Sequence, residues 1–337
     1  MPGRGPGGVP RAIGLTPILS ARYREEDLVR IRAAAPGARL VPISAEGLAD
    51  ADLDEVEVLL RGPISAAVFD RILARCPELT WVHSATAGVE RVLTPLALRR
   101  DLAITSARGV FTEPIAEYVL LMILSVVRRL PQLLELHRER TWQPLVAREM
   151  RDVTVGIVGL GSIGQEVARL ASAFGARVIA TRKERPGATG AVVGPPGVAE
   201  VLPPYLLPDL LAQSDFIVLA LPYTDETNEI IGEAALAVVR RGAWLINIAR
   251  GGLVDDRALE RALRDGRLGG AILDTLREEP LPPESPLYDV PNLLVTPHTS
   301  WSSGRVLDRS IGLFCDNLAR YREGAPLLNV VDVGRGY

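Results

Sequence analysis

The amino-acid sequence predicts an α/β protein with two doubly wound parallel-sheet domains. Short apolar runs alternate with helical patterns along nearly the whole chain, which is typical of parallel strands joined by crossover helices. A length of 337 residues suits two ordinary domains better than one. A G-x-G-x-x-G motif at residues 159–164 follows an apolar run and precedes a helical pattern, which is the context of a dinucleotide-binding turn.

The first half of the chain is predicted to form one of the two sheets. Strands are expected at residues 12–15, 40–43, 56–60 and 81–83, with helices at 25–35 and 65–75. This half, up to about Arg108, contains no phosphate-binding motif of its own. A long helical stretch at 113–139, interrupted by Pro131, is expected to lead to the second domain.

The second half is predicted to form the other sheet. An apolar strand at 155–158 precedes the glycine motif, and strands follow at 177–180, 216–221, 244–248, 271–274 and 293–295. Residues 183–208 are rich in Gly and Pro and predict a loop with one short strand at 198–202. The last predicted helix, 303–323, is expected to return to the first domain, which would make that domain discontinuous.

Composition favours a small-molecule partner. The net charge of −3 gives no electrostatic footprint for nucleic acid or for an anionic membrane. Cys76 and Cys315 are isolated, so we expect reduced thiols and a cytoplasmic protein. Residues 1–8 lack the apolar core of a signal peptide and predict a flexible leader. The apolar stretch 118–127 is too short to span a bilayer and predicts a buried helix.

Each glycine of the motif has its own physical reason. Gly159 lets the chain turn sharply, Gly161 lets a pyrophosphate approach the backbone, and Gly164 lets the helix pack closely on the strand. The N–H groups at the start of that helix, near Ser162 and Ile163, would then face the phosphates. An incidental glycine-rich turn is the alternative, but the flanking strand and helix favour a dinucleotide site.

Two polar residues follow predicted strands, where ligands bind in open parallel sheets. Arg250 comes directly after an apolar strand, and its guanidinium can grip a carboxylate with two parallel hydrogen bonds. The alternative is a surface arginine in a turn, although the two glycines after it favour a binding role. Asp274 closes another predicted strand and could equally be the N-cap of a helix that begins at Thr275.

His298 is the candidate for proton transfer among three histidines. His137 lies in a charged predicted helix and His83 at a strand end, whereas His298 follows an apolar strand and a proline. A lone histidine is more often structural, but a carboxylate such as Glu279 can favour its imidazolium and fix its tautomer. Such a pair provides a general acid that can also act as a base. The scattered histidines and cysteines offer no metal-binding cluster.

The end of the strand at 177–180 indicates which dinucleotide is preferred. Sites for NAD usually place Asp or Glu about 20 residues after the motif, where the carboxylate binds the ribose 2′-OH. Here Thr181 takes that place and is followed by Arg182 and Lys183, which can pair with a 2′-phosphate. We therefore expect NADP, with NAD and a merely solvated basic turn as the alternatives.

Together these motifs resemble the D-isomer-specific 2-hydroxyacid dehydrogenase family. The resemblance covers nearly the whole chain and is strongest at residues 109–329. It rests on the glycine motif, on N-x-A-R-G-x-x-x-D at 247–255, on Glu279-Pro280 and on Thr296-Pro297-His298. It implies a Rossmann cofactor domain, residues 113–303, inserted into a flavodoxin-like substrate domain formed by residues 1–112 and 304–337.

The resemblance also implies a role for each candidate residue. Arg250 would hold the substrate carboxylate, Glu279 would orient His298, and Asp274 would meet the nicotinamide carboxamide. His298 would exchange a proton with the substrate oxygen. The backbone of a first-domain loop would help to hold the carboxylate at Ala87, Gly88 and Val89. The predicted cofactor site comprises Gly159, Gly161, Ser162, Ile163, Gly164, Thr181, Arg182, Lys183, Leu221, Pro222, Ala249 and Asp274.

The expected reaction is hydride transfer between NAD(P)H and a small 2-keto acid or D-2-hydroxy acid, such as glyoxylate or hydroxypyruvate. A phosphoglycerate dehydrogenase-like enzyme is one alternative. A nucleotide-sensing corepressor on the same fold is another, and turnover with 2-keto acids discriminates it. Formate dehydrogenases carry glutamine in place of Glu279, which argues against that branch. A Rossmann methyltransferase would leave Arg250, Glu279 and His298 without a joint purpose.

The resemblance further implies a homodimer built through the cofactor domain. The apolar residues 118–127 and Trp142 are candidate contributors to that interface. Packing of these residues in the core is the alternative.

Overall fold

The computed structural model describes residues 7–18, 23–183 and 194–334. It divides into two compact units: Met1–Phe111 with Ser303–Tyr337, called the first unit, and Thr112–Ser302, called the second unit. The boundaries expected from the sequence lie one residue later in the chain. The expected leader falls mostly on residues 1–6, outside the described residues, whereas the Gly8 N–H donates to the Arg322 carbonyl at 2.8 Å.

The first unit contains a five-stranded parallel sheet in the order β2-β1-β3-β4-β5. Before residue 112 its elements are β1 (Ala12–Leu15), α1 (Glu25–Ala34), β2 (Arg39–Pro42), β3 (Val56–Arg61), α2 (Ala66–Arg75), β4 (Trp81–Ser84), α3 (Pro95–Leu98) and β5 (Ala103–Ser106). This strand order is that of the flavodoxin-like doubly wound fold, so the fold predicted for this part of the chain is confirmed.

The second unit contains a seven-stranded parallel sheet in the order β12-β11-β10-β9-β6-β7-β8. Its elements are α4 (Thr112–Val127), α5 (Leu130–Arg138), β6 (Thr154–Val158), α6 (Ser162–Ala173), β7 (Arg177–Thr181), β8 (Glu200–Leu202), α7 (Leu207–Gln213), β9 (Phe216–Leu219), α8 (Glu233–Val238), β10 (Ala243–Asn247), α9 (Asp256–Arg264), β11 (Leu268–Leu273) and β12 (Leu293–Val295). Counted from β6, the order is that of a Rossmann sheet extended by one strand, which confirms the predicted fold.

The last helix, α10 (Val306–Arg322), belongs to the first unit and completes its core. Phe314 and Tyr321 stack on Trp81 of β4, with ring centroids 5.4 and 5.6 Å apart, and all three side chains are buried. Such ring pairs contribute about 0.5–1.5 kcal/mol each beyond the burial of their area. The second unit is therefore an insertion between β5 and α10.

Some elements differ from those that the sequence patterns indicate. The patterns miss α3, which is a single turn, and β5, in which two of four residues are polar. The helix expected at 113–139 is two helices, because Arg129 between them adopts a φ of 57°, and Pro131 lies in the first turn of α5. Part of the predicted loop, 184–193, lies outside the described residues, and the loop ends where α7 begins.

Two strand ends matter for the site. β9 ends at Leu219 and β11 ends at Leu273, so Leu221, Pro222 and Asp274 lie in the loops beyond these strands. All seven strands run parallel, and their carboxyl ends therefore form one edge of the sheet. Across the described parts of the chain, no helix has both the length and the apolar character needed to cross a membrane.

Candidate active site

The glycine loop between β6 and α6 is shaped by two of its three glycines. Gly159 has a φ of 101°, and a Cβ there would lie 2.7 Å from the Ala220 carbonyl oxygen. A Cβ at Gly164 would lie 2.3 Å from the Gly159 carbonyl oxygen, so glycine is needed for helix and strand to pack. A Cβ at Gly161 would meet no atom within 4 Å. None of the described residues requires glycine at that position, whereas a pyrophosphate approaching the α6 N-terminus would.

The end of β7 carries no carboxylate. Thr181 is buried, and its Oγ1 accepts a hydrogen bond from the Gly159 N–H at 3.3 Å, so this hydroxyl helps to hold the glycine turn. Arg182 and Lys183 follow it with partly and largely exposed side chains. The Lys183 Nζ lies 2.8 Å from an oxygen of Glu226, and this contact lowers the pKa of the Glu226 carboxyl below its ordinary value. The cationic turn is therefore accessible to an anion that can replace the Glu226 carboxylate.

Arg250 is presented by a turn that Asn247 builds. The buried Asn247 side chain, at the end of β10, accepts from the Ala249 N–H at 3.0 Å and donates to the Arg250 carbonyl at 2.8 Å. The Arg250 guanidinium is half-buried and donates through NH1 to the Ala249 carbonyl at 2.7 Å. The Asn of this motif thus fixes the backbone from which the arginine projects.

His298 and Glu279 are brought together although they are 19 residues apart in sequence. The His298 Nδ1 lies 2.9 Å from Glu279 Oε2, and Glu279 Oε1 accepts from the Leu276 N–H at 2.9 Å. Both side chains are partly exposed, at 41% for His298 and 35% for Glu279. His298 also has a φ of 46°, in the left-handed region that a residue with a side chain occupies at a cost of order 1 kcal/mol and that recurs at functional sites.

Asp274 is not a helix N-cap, because no helix begins at Thr275. Its buried carboxylate accepts from the Thr296 hydroxyl at 2.7 Å and from the N–H groups of Thr299 and Ser300 at 2.8 and 2.9 Å. These donors lie on both sides of His298, so Asp274 fixes the turn that carries the imidazole. The resemblance implies that Asp274 also meets the nicotinamide carboxamide. Its carboxylate would accept that hydrogen bond through lone pairs that the three bonds above do not use.

Tyr118 and Arg277 join the site although the sequence patterns do not single them out. The Tyr118 hydroxyl, on α4, lies 2.7 Å from the Thr296 hydroxyl. Arg277 donates through NH2 to Glu229 at 2.8 Å and to the Val254 carbonyl at 2.9 Å. Neither contact has a local sequence signal, because in each case the two residues lie on different loops or elements far apart in the chain.

The loop predicted to bind substrate lies in the first unit, after β4. Thr86 Oγ1 donates to the Gly88 carbonyl at 2.7 Å, which tightens the turn. Ala87 is exposed, Gly88 is half-buried, and the Val89 side chain is buried in the core of that unit. The role of this loop in substrate binding stays a prediction.

The second unit thus gathers the predicted catalytic and cofactor residues at one edge of its sheet. The glycine loop follows β6, Thr181 ends β7, and Leu221 follows β9. Arg250, Asp274 and His298 follow β10, β11 and β12, which are neighbours in the sheet. Among the described residues, no three His, Cys, Asp or Glu side chains are grouped so as to hold a metal ion.

The chain is similar in sequence and in fold to known proteins. Residues 120–300 match the sequence profile of the NAD-binding domain of D-isomer specific 2-hydroxyacid dehydrogenases. A glyoxylate reductase from Korarchaeum cryptofilum is 32% identical over 287 residues, which are 83% of each chain. A D-3-phosphoglycerate dehydrogenase from Mycobacterium tuberculosis is 36% identical over 275 residues, which are 81% of this chain but 51% of that enzyme.

A solved structure is similar over both units. It is the NADPH-dependent glyoxylate/hydroxypyruvate reductase from Sinorhizobium meliloti in complex with NADP and sulfate. It superposes with a TM-score of 0.82 at 30% sequence identity, and the match covers 97% of this chain and 100% of that chain.

Proposed function

The chain belongs to the D-isomer-specific 2-hydroxyacid dehydrogenase family, and on that premise we propose that it reduces small 2-keto acids such as glyoxylate or hydroxypyruvate with NADPH. The family makes it an NAD(P)-dependent oxidoreductase. One observation carries the proposal. The His298–Glu279 pair and Arg250 lie on neighbouring loops at the same sheet edge as the glycine turn.

The residues divide the chemistry among them. The nicotinamide, when bound, supplies the hydride. Arg250 grips the substrate carboxylate through its planar guanidinium. Glu279 accepts the Nδ1–H of His298, which leaves Nε2 as the nitrogen available to the substrate oxygen. His298 gives its proton to that oxygen during reduction and takes one back during oxidation, while Glu279 stabilises the imidazolium.

NADPH is proposed over NADH because of charge at the end of β7. Thr181 offers no carboxylate that would repel a 2′-phosphate, and Arg182 and Lys183 offer two cations that attract one. We expect R182A and K183M each to weaken NADPH binding by about tenfold while NADH binding changes little. E226Q should act in the opposite direction, because it releases Lys183 from its ion pair. Fluorescence titration with each cofactor measures both effects, and an equal loss of NADH binding would contradict the assignment.

Small, unphosphorylated substrates are proposed because two of the compared enzymes are named for glyoxylate or hydroxypyruvate. The phosphoglycerate dehydrogenase relative keeps phosphoglycerate as the second candidate, although this chain spans about half of that enzyme.

A cytoplasmic location is proposed from the isolated cysteines. Burial raises the pKa of both thiols, Cys76 and Cys315, to about 11, which keeps them protonated and unreactive.

A homodimer is proposed from an apolar surface of the second unit. In α5 no residue is buried, and Leu130, Leu133 and Leu134 are 41–47% exposed. Trp142 and Val146, just after α5, are 101% and 91% exposed, so core packing does not account for them. A second copy of the chain covering this face would explain such a patch. Light scattering should show a dimer that L134E dissociates; a monomeric wild type would contradict the proposal.

A panel of 2-keto acids assayed with NADPH and NADH separately tests the function. We expect turnover of glyoxylate or hydroxypyruvate with NADPH, and slower turnover with NADH. Preference for 3-phosphohydroxypyruvate would favour the phosphoglycerate dehydrogenase reading. Tight binding of NADPH without turnover of any 2-keto acid would favour the corepressor reading.

A further inference from the structure

We propose that Arg277 is a positioning residue, which holds the turn that carries Arg250 at a fixed separation from the turn that carries Glu279. The inference rests on the roles proposed above for those two residues. Arg277 lies two residues before Glu279, and its side chain is 37% exposed. It reaches the loops that follow β9 and β10 as well as its own loop after β11.

The turn at residues 276–279 holds the Glu279 carboxylate in place. Glu279 uses one carboxylate oxygen to accept from the Leu276 N–H at 2.9 Å and the other to face His298 Nδ1 at 2.9 Å. The direction of the carboxylate that orients the imidazole is therefore set by the backbone of this turn.

This turn packs directly against the turn that carries Arg250. A Cβ at Gly251 would lie 2.1 Å from the Leu276 carbonyl carbon, so the two backbones touch at the residue after Arg250. On the same loop, the Arg277 guanidinium binds the carbonyls of Val254 and, at 3.5 Å, Gly252. Residues 251–254 are thus held both by the backbone of residues 276–277 and by the Arg277 side chain.

Arg277 also binds the loop after β9, which contains Leu221 and Pro222, so that its side chain acts as a clamp between loops. Glu229 of that loop has a φ of 51°, and its N–H donates to the Gly252 carbonyl at 2.8 Å. Its carboxylate pairs with the Arg277 NH2 at 2.8 Å. A weaker ion pair, 3.7 Å long, joins Arg277 Nε to Asp256 at the start of α9. Three loops that carry proposed site residues are therefore linked through one side chain.

The chemistry of these partners explains why the residue is arginine. A planar guanidinium has five N–H donors and can serve a carboxylate and backbone carbonyls together, whereas an ammonium is a compact point charge. Loss of the guanidinium would leave the Val254 and Gly252 carbonyls without this donor and Glu229 without this cation. The loops would then shift or loosen, and a misplacement near 1 Å in an active site is enough to lower catalysis by about 100-fold.

The test compares R277M and R277K with R267M as a matched control. Arg267 also binds a backbone carbonyl in the second unit, through its Nε and Leu236 O at 3.2 Å, but it lies directly before β11, at the end of that strand opposite to the site. We expect R277M to lower kcat/KM for the 2-keto acid by about tenfold, with NADPH affinity within about twofold of wild type. R277K should recover part of the loss, and R267M should leave the kinetic constants unchanged.

Hydrogen–deuterium exchange provides a readout that does not require activity. R277M should speed exchange in peptides covering residues 250–256 and 276–280, and R267M should not. Unchanged exchange in both segments, or kinetic constants equal to those of wild type, would overturn the proposal. A wild-type chain without turnover would reject the proposed function instead, while faster exchange in R277M would still support the clamp.

Discussion

His83 and His298 each lie near the carboxyl end of a strand in a parallel sheet, yet their surroundings are opposite. His83, within β4 of the first unit, is fully buried; its Nδ1 lies 2.7 Å from the Thr105 hydroxyl, and its Nε2 has no hydrogen-bond partner among the described residues. His298, beyond β12 of the second unit, is 41% exposed and pairs with Glu279.

The difference shows what makes an imidazole suitable for proton transfer. Burial without a carboxylate lowers the pKa of His83 from 6.5 to about 3, so that ring stays neutral at every physiological pH. His298 has a carboxylate 2.9 Å from its Nδ1 and a side chain that is exposed enough to meet a substrate. A carboxylate partner and exposure to solvent distinguish His298 from His83, whereas their positions near a strand end do not.

The strongest test of this contrast is His298→Ala. If His298 is the proton donor and acceptor, kcat should fall by about 1000-fold, because general acid–base catalysis contributes on that scale. NADPH affinity should be retained, since the glycine loop and the end of β7 are untouched. Steady-state kinetics and cofactor titration measure the two quantities. A kcat near that of wild type would remove His298 from the mechanism.

A second test separates the charge of Glu279 from its hydrogen bond. Glu279→Gln can still accept from His298 Nδ1 through its single carbonyl oxygen, and so keeps the tautomer. It cannot stabilise the imidazolium by charge, and its NH2 group cannot accept from the Leu276 N–H. We expect kcat to fall by about 10- to 100-fold, less than for His298→Ala. Glu279→Ala, which loses both contributions, should lie between these two variants. Equal kcat for wild type and Glu279→Gln would show that the negative charge is not used.

The sequence points to the His298–Glu279 pair but not to the residues that hold the turns of this pair in place. His298 and Glu279 can be predicted because each lies in a short motif, with Pro297 before one and Pro280 after the other. The clamp formed by Arg277 could not be predicted, because two of its acceptors are backbone carbonyls, which every residue type supplies. Its carboxylate partners, Glu229 and Asp256, lie on other loops and share no motif with it. The burial of His83 is equally hidden, since it depends on α10 returning to cover β4 from far along the chain.

The same distinction holds for the fold. β1 and residues 155–158 of β6 are continuous apolar runs that are buried throughout, and a local pattern suffices to predict such strands. β5 is half polar and is stabilised by long-range contacts, including a bridge between Thr105 and Val330. Local patterns do not contain such contacts.

Burial of His83 should make the folded protein less stable at acid pH. The pKa of His83 is lower in the folded protein, so below pH 6.5 the unfolded chain takes up a proton that the folded chain does not bind until about pH 3. Stability should therefore fall as the pH drops through this window, by about 1.4 kcal/mol at pH 5.5 from this group. Urea unfolding of wild type and His83→Leu at pH 7.5 and 5.5 measures it. The variant should lose less on acidification, and equal losses would contradict the assignment.

The smallest effect on kcat is expected at Tyr118, which supports the His298 turn through Thr296. The Thr296 hydroxyl donates its proton to the Asp274 carboxylate, so the Tyr118 hydroxyl must donate to Thr296. Burial raises the pKa of Tyr118 to about 12, which keeps that donor protonated at working pH. Tyr118→Phe should therefore lower kcat by about threefold, close to the worth of one neutral hydrogen bond, and leave the KM for substrate unchanged. Tyr205→Phe, at an exposed tyrosine of the same unit, is the control. If the two variants have the same kcat, the turn is held by Asp274 without help from α4.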